Sequence, residues 1–426
     1  MRRWAGPALA LVLALSMGYY ILGVLIPMQV REARSSGTPR GNLSDLYPRW
    51  LGAKAWLEQG RDPYSAAVTR DIQIGYYGRL LDPQRPNDPH DQQGFAYPIY
   101  VAFVLAPTLG LPFSVVQPAF GSLLLALTVV SVPLWAYALR VRLSGAALLT
   151  VTLLTLGSFP TAQGVALEQL SLLVAALLAG TAALLTAGRP LPAGVLLALA
   201  TIKPQVALPL LAWLALWTLS DWRARRGLAL GFGVTMAGLL GGAEWLSPGW
   251  IGRFLSALNE YQRYTGGRSL VDTLLTPVGG ALVSVALVAG AAVVCWRVRH
   301  DRAGTPGTNL ALALVPAVTL AIIPTWAPYN QLLLLPAVLL LLDARLSFWA
   351  AGRLARYLAL AAALMIAWPW VATLGLTLAA VVLPAVTVQG GWTLPLWTSL
   401  FLPPAVLAAL AYAAWGPLRP APSARA

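Results

Sequence analysis

The stretch Leu170-Ser-Leu-Leu-Val-Ala-Ala-Leu-Leu-Ala-Gly-Thr-Ala-Ala-Leu-Leu-Thr-Ala-Gly188 carries no charged side chain, and neither does Leu310 to Asn330. A helix that crosses a bilayer needs about 20 mostly apolar residues, so both stretches read as spanning helices. The whole composition agrees: 58% of the 426 residues are hydrophobic and 10% are charged, against about 25% charged in an ordinary soluble domain. The chain reads as an all-α polytopic membrane protein, and a soluble enzyme is excluded. With Cys295 alone there is no intrachain disulfide, and His90 and His300 lie too far apart in sequence to suggest a zinc site.

The net charge of +14 would suggest nucleic acid in a soluble protein, but in a membrane protein the placement of charge matters more than its sum. Arginines follow apolar segments in clusters: Arg223, Arg225 and Arg226; Arg297, Arg299 and Arg302; Arg345, Arg353 and Arg356. These read as cytoplasmic ends, and no nucleic-acid partner is expected.

Four regions follow. Residues 1–26, with Met1-Arg2-Arg3 before the apolar run Trp4 to Ile26, lack an Ala-x-Ala site and read as a retained signal anchor with its N-terminus inside. Residues 27–96 then form an extracytoplasmic loop, which holds eight of the fifteen acidic residues. Within it, Asp45 to Gln59 places apolar residues at helical spacing, with Ser44 as a cap and Gly60 as a stop. That pattern predicts an amphipathic helix lying on the membrane. A second helix is expected from Ala66 to Leu81, before the proline-rich turns of 82–89.

Residues 97–343 form a core bundle and 344–426 a C-terminal helical region. Spans are expected near 97–112, 118–139, 143–160, 170–187, 191–218, 228–247, 272–296, 308–325, 330–343, 356–386 and 394–416, about twelve with the first. On this count the arginine clusters, with Arg419 and Arg425, lie inside as the positive-inside rule prefers, while Arg140, Arg142 and Arg189 fall outside. Making 97–112 re-entrant and splitting 191–218 at Lys203-Pro204 brings all three inside; the sequence does not choose. Trp368-Pro369-Trp370 is expected to kink or end its long segment. Glycine-rich pieces, Gly231-Phe-Gly233 and Gly238 to Gly242, read as helix-packing surfaces.

Ionisable groups inside a membrane are costly and are functional candidates. Glu168 stands beside Gln169 at the edge of a span, and Lys203 lies within an apolar segment. Lys203 suits an anionic group such as a lipid phosphate, or it snorkels to the interface. Asp45 either complements the start of its helix or acts as a general base toward a hydroxyl acceptor; spacing alone leaves both readings open.

At this point the sequence resembles a family. Asp45-Leu-Tyr-Pro-Arg-Trp-Leu-Gly-Ala-Lys-Ala-Trp-Leu-Glu-Gln-Gly-Arg-Asp62-Pro-Tyr64, followed by Phe95-Ala-Tyr97-Pro98-Ile-Tyr100, is similar to the first-loop pattern of glycosyltransferase family 87. The likeness continues at Phe159-Pro160-Thr-Ala-Gln163 to Glu168-Gln169-Leu-Ser, at Ala193-Gly194 to Lys203-Pro204 and at Trp326-Ala-Pro-Tyr329-Asn330, over roughly residues 4 to 340. The family comprises GT-C membrane enzymes, among them mannosyltransferases that use polyprenyl-phosphate mannose.

The resemblance implies inverting transfer of a hexose, mannose in those relatives, from a polyprenyl-phosphate donor to a lipid or glycan acceptor, with Asp45 as the base. Lys203, Arg49 and Lys54, in that order, are the candidates for the leaving phosphate. Tyr97, Tyr100, Gln163, Glu168, Gln169, Trp326, Tyr329 and Asn330 are candidates for substrate contact; Tyr97 and Tyr100 either orient the sugar or, the favoured reading, simply form an aromatic belt. Departures are Glu168-Gln169 for Gly-Gln, Ile99 for a second proline, and Tyr329-Asn330 where many members carry a histidine; these bear on the sugar rather than the class.

No Asp-x-Asp occurs, which fits a lipid-phosphate donor, and neither a metal nor a cofactor is expected. Membrane lipids are the surroundings, and a bacterial inner membrane is the expected site. A transporter or flippase using Glu168 and Lys203 is the alternative; it should concentrate charge at midplane breaks, whereas the acidic residues here concentrate in the first loop. An assembly protein without turnover is the third reading.

Overall fold

The computed structural model describes residues 4–41 and 44–415. Among them there is no strand, and the architecture is all-helical. Met1-Arg2-Arg3, Arg419 and Arg425, which entered the charge argument, lie outside the described residues.

Helix α1, Ala5–Ser36, runs well past the expected end at residue 26. Pro27 should interrupt it, because its ring and missing N–H strand the carbonyl four residues back. Two features absorb the break: a wide π turn at Tyr20–Leu25, and Gln389 Nε2, which donates to the stranded carbonyl of Gly23 at 3.1 Å. Gly37, at φ 69°, ends the helix.

In the loop, α2 (Tyr47–Leu57) has no exposed residue, so it is embedded in the protein and lacks the water-facing polar side of an amphipathic helix. Its small residues explain why: Gly52 rests against the Phe95 ring, while Trp50 packs on Phe113 and Trp56 on Phe103. Leu46 takes the cap position without a side-chain bond, and Ser44 instead meets Glu168. Helix α3 (Ala66–Tyr77) starts at Ser65, whose side chain accepts from the Val68 N–H, and stops at Gly78, φ 76°, short of Leu81. Residues 82–89 are turns, as their prolines require.

The expected span at 97–112 is a short helix, α4 (Val101–Leu105), followed by a 3-10 turn. At about 1.5 Å per residue it cannot cross a bilayer. Next come α5 (Phe113–Ala138), the pair α6 (Gly145–Leu156) and α7 (Phe159–Ala166) bent by 51°, and α8 (Leu170–Thr186). The single span expected at 191–218 is two helices, α9 (Pro190–Ala200) and α10 (Pro204–Ser220), separated at Thr201 to Lys203.

Helix α11 (Trp222–Leu246) packs closely on α9. A Cβ on Gly194 would sit 2.2 Å from the Leu228 carbonyl oxygen and one on Gly231 2.0 Å from that of Leu191, so these glycines permit backbone approach. Gly233, Gly238 and Gly241 face open space, which corrects the reading of that whole stretch as a packing surface.

The amphipathic helix α12 (Trp250–Thr265), between left-handed Gly249 and Gly266, was not anticipated. It is followed by α13 (Leu270–Leu274), α14 (Pro277–Arg297), α15 (Pro306–Ile322), a 3-10 turn at Pro328–Leu334, α16 (Leu335–Asp343) and α17 (Arg345–Ala350). Helix α18 (Arg353–Ala379) continues past Pro369 without ending there. The carbonyl that Pro369 strands, on Met365, accepts from Thr398 Oγ1 at 3.1 Å, so no break is needed. The short α19 (Ala385–Gly390) and α20 (Leu402–Trp415) complete the chain.

By length and apolarity, five of these helices can cross a membrane, and a sixth if the bent pair counts as one; the other apolar helices have 10–17 residues. The chain is thus a polytopic membrane protein with long spans interleaved with shorter helices, rather than a row of twelve uniform ones. Its two ends are distinct. At one, Thr186 Oγ1 donates to the Ala138 carbonyl at 3.1 Å and Asn309 Nδ2 to that of Leu139 at 2.7 Å, while Trp217 Nε1 donates to the Asp301 carbonyl at 2.9 Å. The turns bearing Arg140, Arg142 and Arg189 therefore share an end with the clusters around Arg223 and Arg299. This is the arrangement with α4 re-entrant and 191–218 divided.

Candidate active site

At the opposite end the breaks between helices meet around a cavity of about 420 Å³. The turn Leu167-Glu168-Gln169 between α7 and α8 supplies its core. Glu168 has φ 47°, a conformation that non-glycine residues adopt at a cost. The turn aims the Leu167 carbonyl at the Asp45 N–H (2.8 Å), and the Gln169 side-chain amide donates to the Asp45 carboxylate.

Gln169 also accepts, through Oε1, from Lys203 Nζ at 3.3 Å. Lys203 donates further to Ser171 Oγ, and that hydroxyl donates to Asn330 Oδ1 at 2.8 Å. Lys203 lies over the Tyr329 ring, 5.1 Å from its centroid, and is buried. It does not snorkel. Among the described residues no carboxylate lies within ion-pair distance of it. Arg49 is also buried; it donates to the Asp45 main-chain carbonyl at 2.9 Å and stacks on Tyr97, 4.6 Å from the centroid. Burial pushes the Asp45 carboxyl above its ordinary range, opposed by Arg49, the Gln169 bond and Lys203.

Of the residues expected from sequence, Asp45, Arg49, Tyr97, Gln169, Lys203, Tyr329 and Asn330 line this cavity together. Lys54 does not: it donates to the Leu109 carbonyl at 3.0 Å and pairs with Glu58 at 3.6 Å, because its position on α2 faces away. Tyr100 is buried behind the wall, where its hydroxyl donates to the Thr201 carbonyl at 2.9 Å and holds the break before Lys203. Buried as they are, Tyr97 and Tyr100 form no aromatic belt. Glu168 faces away from the cavity toward Gln117 (3.3 Å) and Ser44. Gln163 and Trp326 lie outside the lining.

The sequence reading missed Asp91, Gln93, Ser171, Tyr261, Gln262 and Thr325. Tyr261 and Gln262 belong to α12, which roofs the cavity with Phe254 and Leu258 and is tied to the first loop by Arg253 and Asp62 at 3.2 Å. The signal was available: Ile251, Phe254, Leu255 and Leu258 recur at helical spacing between two glycines. Among the described residues no cluster of His, Cys, Asp and Glu suits a metal ion.

An all-helical membrane protein with a half-buried carboxylate and a buried lysine on one cavity wall is the class that fold and site define. A family model described as Glycosyltransferase family 87 matches residues 95–324, more than half of the chain, and the chain belongs to that family. It is a membrane glycosyltransferase, which sets aside the transporter reading. The matched segment includes Tyr97, Gln169 and Lys203; Asp45, Arg49, Tyr329 and Asn330 lie outside it. No curated protein and no solved structure matches the chain.

Proposed function

We propose that the enzyme transfers a hexose, mannose by the resemblance, from a polyprenyl-phosphate donor to a lipid or glycan acceptor at the extracytoplasmic face of a bacterial inner membrane, with inversion. The observation that carries this reading is the single amide, Gln169, which donates to Asp45 and accepts from Lys203. A direct ion pair would neutralise both groups. The intervening amide keeps carboxylate and ammonium close yet separately available, one for a proton and the other for an anion.

In the proposed step Asp45 takes the proton of the acceptor hydroxyl, and that oxygen attacks the anomeric carbon from the face opposite the phosphate. The bond from the anomeric carbon to the phosphate oxygen breaks, and the lipid phosphate leaves with the electron pair, toward Lys203 and Arg49. A buried cation is costly unless an anion joins it, so the donor phosphate would stabilise Lys203 as Lys203 stabilises the phosphate. Leu208 and Leu255, both half exposed at the cavity's edge, offer the prenyl chain an apolar exit. Orientation with the arginine-rich end inside turns the cavity outward.

The test is transfer of labelled sugar from a panel of polyprenyl-phosphate donors by protein in lipid nanodiscs, with Asp45→Asn compared at equal folded amount. Loss of transfer with donor binding retained supports the assignment. A panel that yields no product with wild type, or full activity in Asp45→Asn, overturns it. Because burial raises the Asp45 carboxyl, the acid limb of the rate profile should lie above the ordinary carboxylate range.

A further inference from the structure

The cavity lining divides by chemistry into two walls. One carries Lys203 and Arg49 around Asp45. The other is built from Asp91, Gln93, Tyr261, Gln262 and Thr325, a carboxylate, two amides, a phenol and a hydroxyl without a cation among them. We propose that this second wall is a subsite for the hydroxyl groups of an uncharged acceptor sugar. The inference rests on the transfer reading above and assigns it an acceptor class: a neutral glycan, not an anionic acceptor.

Asp91 is held in place. Its Oδ1 accepts the Gln93 N–H at 2.8 Å, and the Tyr264 hydroxyl bonds its carboxylate. A fixed carboxylate accepts hydrogen bonds from neighbouring sugar hydroxyls, whereas an anionic acceptor would meet the repulsion of its charge; Arg49, whose field reaches both Asp91 and Tyr261, is engaged by the donor phosphate in the proposed step. The backbone is shaped around the wall as well. Gln93 at φ 56° and Thr325 at φ 62° are both left-handed without being glycine, and such conformations gather at ligand clamps when their surroundings enforce them. Here the Arg268 carbonyl accepts from the Thr325 and Trp326 N–H groups at 3.1 and 3.2 Å, while Gln93 Nε2 donates to the Tyr77 hydroxyl at 3.4 Å.

The apolar edge at Leu208 and Leu255 adjoins the break that carries Lys203. Asp91 and Gln93 come from the loop of residues 78–100, which belongs to the polar first-loop region rather than to any long apolar helix. The lining thus offers the donor's prenyl chain apolar contacts and a polar acceptor hydrogen-bonding groups.

The experiment measures initial transfer rates with donor and acceptor varied in turn, using neutral oligosaccharides and anionic glycolipids as acceptors, for wild type, Asp91→Asn and Tyr261→Phe in nanodiscs. The expected result is a neutral acceptor preferred by wild type, with acceptor KM raised about tenfold or more in Asp91→Asn, since a hydrogen bond to a charged group is lost, and donor KM within about twofold. Binding of the neutral oligosaccharide by calorimetry should weaken in step. A rise in donor KM instead, unchanged KM for both substrates, or a preference for anionic acceptors in wild type overturns the subsite while leaving the transfer reading intact. Absence of transfer from every donor would instead strike the transfer reading, and the subsite with it.

Discussion

Arg225 and Lys203 are both cations at 5% exposure, one at each end of the bundle, and their surroundings could hardly differ more. Arg225 stacks on Trp217 at 3.8 Å and donates to the carbonyls of Trp217, Arg299, His300 and Asp301 at 2.6, 2.7, 3.2 and 2.8 Å. Its guanidinium ties the turn between α10 and α11 to the turn between α14 and α15. Lys203 has two neutral partners and an aromatic face, beside a cavity. The first arrangement spends a charge on joining chain segments; the second keeps a charge unneutralised where a ligand can reach it. Burial alone does not mark a functional group. What marks it is whether the fold has already met its needs.

The contrast can be broken most sharply at Asp45, which shares the cavity wall with Lys203. Asp45→Asn should lower the transfer rate about 10²–10⁴-fold, the usual worth of a general base, while the melting temperature in detergent stays level or rises. A next step makes one substitution at both cations. Lys203→Met should cost about a hundredfold or more in rate through loss of leaving-group stabilisation, with stability unchanged or improved, because an apolar side chain of similar volume carries no desolvation penalty. Arg225→Met should do the reverse: activity per folded molecule holds, while stability falls as carbonyls lose a donor, at about 1–3 kcal/mol for each one left buried and unpaired. Equal stability losses at the two sites would erase the distinction.

Smaller effects sharpen it. Gly231→Leu forces α11 away from the Leu191 carbonyl, and overpacking of this kind costs about 1–3 kcal/mol; thermal unfolding should show it, with the effect shared by Gly194→Leu. The smallest is a pH slope. Burial raises the Glu168 carboxyl from 4.5 to about 7, against hydrogen bonds from Ser44 and Gln117. The folded protein then holds a proton that the unfolded chain releases, so this stabilisation is complete below 4.5 and is lost as pH rises through about 7. Melting temperatures across that range should fall with rising pH in wild type and lose part of the slope in Glu168→Gln. An unchanged slope would remove Glu168 as its source.

Much of the site was legible because its ionisable groups are few. With two lysines in the chain, Lys203 stands out in an apolar run, and Asp45 stands out at the head of the loop's tryptophan-rich helix. Asp91, Gln93 and Thr325 were not legible, since nothing local distinguishes them from ordinary loop residues; the left-handed backbones of Gln93 and Thr325 are held by contacts with Tyr77 and Arg268 elsewhere in the chain. Lys54 misled for the converse reason, as residue type cannot show which way a buried helix turns. Helix α2 itself was taken for a surface helix because tryptophan and lysine at helical spacing describe a membrane interface and a crowded interior equally well. The family resemblance supplied the reaction class, and the matched segment supports that class.

By itself the sequence determined that the chain is helical and membrane-embedded, because period and apolarity act locally and a bilayer leaves the backbone little else. It also determined where charge is scarce enough to matter. Only the tertiary structure decided that residues 97–112 turn back, that the segment around Lys203 breaks, and that Pro27 and Pro369 interrupt nothing. Each of those outcomes depends on a hydrogen bond or packing partner from a remote part of the chain, such as Thr201 for Tyr100, Gln389 for Gly23 or Thr398 for Met365. Buried backbone groups must find partners, and where the partner comes from is a property of the folded whole.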